Sequence, residues 1–262
     1  MDIAGYFASI FIGIFLGLIG GGGSILTVPV LVYLFRIDAV MATTYSLFIV
    51  AVTSIVGSRT YLKRGFVNKQ TVLSFGLPSI VVILLTRKFV LPAIPENIVT
   101  IGTLTVTKSV LLLLLFALLM IAAAYRMISK KNKGDVSSAE NKRSTLILQG
   151  ILVGFVTGLV GAGGGFLIIP ALVNIVKLPM KTAVGTSLVI IAVNSLSGFL
   201  FSLDGSPIDW QFLLTIALFA VGGIFIGTTL SKRMDGAQLK PVFGWFVLIM
   251  GMYIILKELL LK

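Results

Sequence analysis

The chain has 262 residues, 57% apolar and only 11% charged, with 21 Lys and Arg against 9 Asp and Glu and a net charge of +12. A soluble domain carries about a quarter charged residues, so the composition is that of a membrane protein without room for a separate soluble domain, and the basic excess reads as cytoplasmic loops that fix orientation, not as a nucleic-acid surface. The lack of Cys and His excludes disulfides and thiolate chemistry and removes the commonest metal ligand and neutral-pH proton carrier, so neither a cofactor nor an enzymatic activity is expected.

The N-terminus, MDIAGYFASIFIGIF, is apolar from the start and lacks the basic segment and small-residue cleavage site of a signal peptide; it reads as a retained helix. It opens block one, a glycine-broken segment running Ile3–Ile19 and then Ser24–Phe35. Block two covers about Ala39–Thr60, block three Val67–Thr86 and block four Ser109–Ile128. The stretch SKKNKGDVSSAENKRS suits a solvated linker. The same four blocks then return as Leu146–Val160 with Phe166–Val176, Thr182–Leu203, Trp210–Leu230 and Pro241–Leu260, several of them near the roughly 20 residues a spanning helix needs. The expected fold is an all-α polytopic membrane protein: a first transmembrane repeat at 1–128, a linker at 129–144 and a second repeat at 145–262.

The repetition is direct. GIFLGLIGGGGSILTVP (Gly13 to Pro29) and GFVTGLVGAGGGFLIIP (Gly154 to Pro170) lie 141 residues apart with 8 of 17 positions identical. At the same offset, Ala42 to Gly57 matches Ala183 to Gly198 at 8 of 16 positions. Glycine-interrupted apolar segments at corresponding places in two halves point to the binding region of a transporter. Placing the loop Arg59 to Lys69 in the cytoplasm, with blocks two to four each crossing once, makes the linker cytoplasmic and puts 15 of the 21 basic residues on that side, a strong orienting asymmetry. The second half must then run inverted, both termini lie outside, and block one leaves and returns on one side. Ser24–Phe35 has 12 residues, too few to cross, so block one is expected to be a re-entrant hairpin turning at its glycines. Backbone of that kind survives at membrane depth only when buried in protein or lining a wet cavity. The alternative is a pair of parallel four-span repeats with a kinked first helix.

Gly13/Gly17 and Gly154/Gly158 have the spacing of close helix packing. The consecutive glycines read differently. Gly20, Gly21, Gly22 and Gly23, and Gly161, Gly163, Gly164 and Gly165, break the helix and free backbone N–H groups where new helices begin near Ser24 and Phe166, which is the make-up of an anion site. Polar residues of block two join them: Thr43, Thr44 and Ser46 align with Val184, Gly185 and Ser187, Tyr45 with Thr186, and Thr53 with Asn194. The candidate substrate-binding set is therefore both glycine runs with Ser24, Thr43, Thr44, Ser46, Thr186, Ser187 and Asn194. Ser54 and Ser195, also aligned, read as interhelical hydrogen-bonding residues. None of the nine acids lies in the middle of an apolar block, so no proton-carrying carboxylate is expected. Asp38 reads as an N-cap, and Lys108 and Arg59 sit near block ends where they can snorkel. Backbone donors without a buried acid suit a small anion.

The boxes GLIGGGGSILTVP and GLVGAGGGFLIIP, each followed by a box ending in Ser-Leu (Ala42 to Leu47, Ala183 to Leu188), resemble the sulfite exporter TauE/SafE family over nearly the whole chain. The resemblance implies a prokaryotic plasma-membrane permease for small sulfur-containing or organic anions such as sulfite, thiosulfate or the sulfonate sulfoacetate. The second repeat fits the family pattern better: Thr43-Thr44-Tyr45-Ser46 stands where the pattern has Val-Gly-Thr-Ser, so Thr186 carries over more directly than any first-half residue. A cysteine relay of the kind used by a separate thiosulfate-uptake family is excluded. The expected partners are a small anionic substrate and the lipid bilayer, with no nucleic acid. A permease for another anion, such as a carboxylate, and a non-transporting membrane scaffold or sensor are the alternatives.

Overall fold

A computed structural model of the chain describes residues 3–19, 24–101, 104–128, 142–161, 163–174, 176–203, 208–230 and 236–260. In chain order its helices are α1 (Ile3–Ile19), α2 (Ser24–Tyr33), α3 (Ala39–Lys63), α4 (Lys69–Leu85), α5 (Leu91–Ala93), α6 (Lys108–Ile128), α7 (Lys142–Val160), α8 (Gly165–Asn174), α9 (Met180–Leu200), α10 (Trp210–Leu230) and α11 (Gly236–Leu260), with a π-helical turn at Thr86–Val90 joining α4 to α5. Five helical stretches among the described residues are long and apolar enough to cross a membrane: Ala39–Lys63, Lys69–Ala93, Lys108–Tyr125, Met180–Leu200 and Trp210–Leu230. By contrast α2 and α8 have 10 residues each and, at about 1.5 Å per residue, reach only about half the hydrocarbon thickness. Large apolar side chains such as Phe7, Phe11, Leu118, Leu218 and Phe225 face outward, while the hydroxyls of Ser9, Thr27, Ser46, Thr53 and Ser195 are buried. That distribution belongs to a chain whose solvent is hydrocarbon. The protein is a multi-pass, almost wholly helical membrane protein.

Two departures from the sequence expectation stand out. A β-hairpin, Asn97–Ile101 against Leu104–Thr107, fills the connection between α5 and α6, with Thr100 opposite Thr105 and Ile101 opposite Leu104. Its β-branched runs, IVTI and LTVT, favour extended backbone. Block three, expected to stop at Thr86, continues through Arg87 and Lys88 to Ala93. Asp38 does cap α3, accepting the Val40 N–H at 2.8 Å, and Asn68 caps α4 through the Thr71 N–H at 2.9 Å.

Glycine spacing decides which helices meet. A methyl group on Gly13 would strike the Ala220 carbonyl and one on Gly17 would lie 2.7 Å from the Ile224 carbonyl, while Gly223 and Gly227 of α10 abut the backbone at Ile10 and Ile14. Thus α1 and α10 lie parallel in chain direction, backbone against backbone. In the other half, glycines of α7 do the same to α4: Gly154 and Gly158, the equivalents of Gly13 and Gly17, meet Ser79 and then Ile83 and Thr86, and Gly150 meets Phe75. The packing role expected of Gly13, Gly17, Gly154 and Gly158 is what they perform. Each half thereby packs its first helix on a helix of the other half. Between them, α3 and α9 run antiparallel, because Gly57 faces Leu188 and Gly198 faces Leu47. The short helices α2 and α8 pack on α3 and α9 respectively and touch each other. Leu16, Val50, Phe75, Ile168, Ile191 and Ile224 close the core at this crossing.

Candidate functional site

The break between α7 and α8 is a tight left-handed turn. Gly161, Gly163 and Gly164 have φ of +72°, +65° and +67°, a conformation that L side chains resist and glycine adopts freely. The Gly161 N–H still bonds to the Thr157 carbonyl at 2.9 Å, and the Gly164 carbonyl accepts from Leu167 and Ile168 at 2.9 and 3.1 Å. The N–H groups of Gly163, Gly164 and Gly165 make no hydrogen bond among the described residues. They stand at the N-terminus of α8, where free amides and the helix dipole favour a negative charge.

The turn runs from one end of α3 to its middle. Gly161 rests on Thr43, in the first turns of α3, and Gly163 rests on Val50, Ile191 and Ser195, near the centres of α3 and α9. Beside Gly164 lies the Thr157 hydroxyl. Ser195 Oγ and Thr157 Oγ1, beside the turn, have no hydrogen-bond partner among the described residues, and elsewhere on α3 and α9 the same holds for Ser46 Oγ, Ser54 Oγ and Asn194 Nδ2. Buried hydroxyls and amides are normally paired, so these groups depart from the ordinary pattern of a packed interior. Ser54 and Ser195, expected to bond between helices, do not do so among the described residues.

The other residues named from the sequence have partners of their own. Thr186 Oγ1 accepts the Asn68 N–H at 2.9 Å, tying α9 to the entry of α4; at the equivalent place in the other half, Tyr45 OH accepts the Asp209 N–H at 2.8 Å. Ser187 Oγ donates to the Val184 carbonyl at 2.8 Å. Asn194 Oδ1 accepts from Ser79 Oγ at 2.9 Å. Ser24 is buried at the start of α2. Gly20, Gly21, Gly22 and Gly23 lie outside the described residues.

Thr43 and Thr44 converge on a residue just beyond the expected end of block three. Arg87, in the π-helical turn, is 5% exposed. Its Nη2 donates to Thr43 Oγ1 at 3.1 Å and its Nη1 to Thr44 Oγ1 at 3.1 Å and Ser202 Oγ at 2.6 Å. The signal was available: Arg87 interrupts an apolar run that resumes with Phe89, Val90 and Leu91, and the adjacent Lys88 made the pair look like a helix end. Lys108, by contrast, has a partner in Glu96 at 3.8 Å.

The model of the sulfite exporter TauE/SafE family matches residues 6–254. The chain is 31% identical over 257 residues to a probable membrane transporter protein of Xylella fastidiosa, covering 93% of this chain and 91% of that one. It is 26% identical over 259 residues to a probable membrane transporter protein of Methanocaldococcus jannaschii, covering 94% and 92%. A probable membrane transporter protein of Bacillus subtilis is 25% identical, with 91% of each chain covered. No solved structure matches the chain significantly. The chain belongs to the TauE/SafE family of membrane transporters.

Proposed function

We propose that this TauE/SafE transporter carries a small sulfur-containing anion, such as sulfite, thiosulfate or a sulfonate like sulfoacetate, across the plasma membrane of a prokaryote. The observation that carries the reading is the left-handed backbone of Gly161, Gly163 and Gly164: Gly163 rests beside Ser195 and Gly164 beside Thr157, two buried hydroxyls with no hydrogen-bond partner among the described residues. An oxyanion accepts several hydrogen bonds at once and satisfies just such a set of donors. The four described carboxylates are placed elsewhere: Asp38 and Asp209 cap helices, Glu96 meets Lys108 and Glu258 accepts from Tyr33 OH at 3.2 Å. The equivalent glycines, Gly20 to Gly23, would supply the second half of the site.

The helix directions support two inverted repeats, 1–128 and 145–262, joined by a cytoplasmic linker at 129–144. Helices α3 and α9 occupy equivalent positions at the 141-residue offset yet run antiparallel, as a two-fold axis in the membrane plane requires. Outward-facing termini and a rocking motion of one repeat against the other follow from that arrangement.

The test is flux in proteoliposomes holding the purified chain, together with thermal shift, against sulfite, thiosulfate, sulfoacetate, acetate and chloride. One sulfur anion should move down its gradient and, at about 100 times its dissociation constant, stabilise the protein by about 2.7 kcal/mol. Movement of acetate alone would make the chain a carboxylate permease. No flux and no shift with any of the five would refute the reading.

A further inference from the structure

Arg87 is a buried cation with no carboxylate partner among the described residues. Among the described residues the one ion pair is Lys108 with Glu96, and the groups around the guanidinium are neutral hydroxyls. Each of those hydroxyls spends its own proton on a backbone carbonyl: Thr43 on Val40 at 2.7 Å, Thr44 on Val40 at 3.5 Å and Ser202 on Gly198 at 2.7 Å. Their lone pairs are thereby turned to Arg87, which they orient without neutralising. A guanidinium has five N–H donors. Two on Nη1 and one on Nη2 are engaged; among the described residues neither the Nε–H nor the second Nη2–H has a partner. Two donors on neighbouring nitrogens form the fork that grips two oxygens of an oxyanion.

The surroundings place this fork beside the glycine turn. Thr43, which holds Nη2, is the residue on which Gly161 rests. Thr86, which opens the π turn carrying Arg87, packs under Gly158 of α7. Charged side chains inside a membrane protein are costly and cluster on substrate paths, and π turns concentrate at functional positions. The arrangement is also one-sided. The start of α3 and the end of α9 share one end of the antiparallel pair, and Thr43, Thr44 and Ser202 all lie there. At the opposite end, the residue equivalent to Arg87 at the 141-residue offset is Thr228, whose hydroxyl bonds to Ile224 of its own helix at 2.8 Å.

We infer that Arg87, oriented by Thr43, Thr44 and Ser202, is an oxyanion-binding station at one end of the pathway only. The inference rests on the anion-transport reading and adds a direction to it: the transporter presents unequal affinities to its two faces. A tether made only to join α3, α4 and α9 would need no charge and would treat both faces alike.

The experiment measures half-saturating concentrations for sulfite and thiosulfate in right-side-out and in inside-out membrane vesicles, for the wild type, Arg87→Met and Arg87→Lys. Expected is a rise of about tenfold or more for Arg87→Met, the worth of a charge-assisted hydrogen bond, on one face and not the other, with a smaller rise for Arg87→Lys, which keeps the charge and loses the fork. Values unchanged on both faces, or raised equally on both, while the wild type transports, would overturn the station and leave the proposed function standing. A wild type that neither binds nor moves either anion would overturn both. If Arg87→Met fails to fold, Arg87→Lys decides: a one-sided rise supports the station, and wild-type values on both faces overturn it.

Discussion

Replacing Gly163 by Ala should destabilise the folded chain by about 2–5 kcal/mol, from two separable costs. The first is conformational: at φ +65° an L side chain loses about 1–2 kcal/mol relative to right-handed backbone. The second is steric. The new Cβ would lie 2.7 Å from Val50 Cγ1, 2.9 Å from Ser195 Oγ and 3.2 Å from Ile191 Cγ2, so it presses on α3 and α9 together, an overpacking cost of about 1–3 kcal/mol. Two other glycines isolate these costs. Gly65 has φ +70° with nothing within 4 Å of its added Cβ, so Gly65→Ala carries the first cost alone. Gly222, inside α10, has open space and no positive φ, so Gly222→Ala gains helix propensity of up to about 1 kcal/mol. Thermal unfolding of the purified variants in one detergent, followed by tryptophan fluorescence, should order the melting temperatures as Gly222→Ala, wild type, Gly65→Ala and Gly163→Ala, from highest to lowest. Adding Val50→Ala to Gly163→Ala should recover part of the steric cost. If Gly163→Ala melts with Gly65→Ala, the turn does not press on α3 and α9. If it melts with the wild type, the left-handed turn itself is refuted.

Gly154→Ala should cost about 1–3 kcal/mol, because its Cβ would come within 2.5 Å of the Ser79 carbonyl and push α7 off α4; a wild-type melting temperature would argue against that close approach. Ser195→Ala removes a buried hydroxyl that has no partner among the described residues, so stability should hold or rise by up to about 1 kcal/mol while the dissociation constant for the transported anion rises several-fold; calorimetric titration showing unchanged affinity would remove Ser195 from the candidate site. Thr186→Val strands the Asn68 N–H, at a cost of about 1–3 kcal/mol, and the loss should appear as faster amide hydrogen exchange at the start of α4. Asp38→Ala deletes the cap of α3 and the acceptor of the Ser109 hydroxyl at 2.7 Å, for a loss of about 1 kcal/mol, read from the same melting assay.

Periodicity and repetition carried the fold a long way. The 141-residue offset located both broken helices, and GxxxG spacing identified the glycines that bring α1 onto α10 and α7 onto α4. Which helix each glycine stripe would face was not legible, because close packing needs small residues on both sides without naming the partner. The extent of block three was misread for an electrostatic reason: Arg87 and Lys88 are adjacent, and a pair of charges ordinarily marks water. Here Lys88 points outward along Phe89, its Nζ 5.7 Å from the ring centroid, while Arg87 turns inward to three hydroxyls supplied by distant parts of the chain. The extra residue of the π turn that aims it leaves no local composition signature. Of the candidate residues, Gly161, Gly163, Gly164, Thr43 and Thr44 stand out in the sequence as a broken pattern. Ser195 and Thr157 were not, since an isolated hydroxyl in an apolar helix gives no sign of whether its partner is a neighbouring helix or a guest.

The exchange of first helices between halves has a consequence for synthesis. Helix α1 leaves the ribosome first, yet the groove that receives Gly13 and Gly17 is formed by Ala220 to Thr228, about two hundred residues later. At translation rates of about 5–20 residues per second, α1 waits some ten to forty seconds in the company of lipid or insertion machinery before its partner exists. A chain truncated after the linker would keep α1 without its groove and α4 without α7. The maturation of this protein is therefore a single late event, closed from the C-terminal half, and not the stacking of two finished modules.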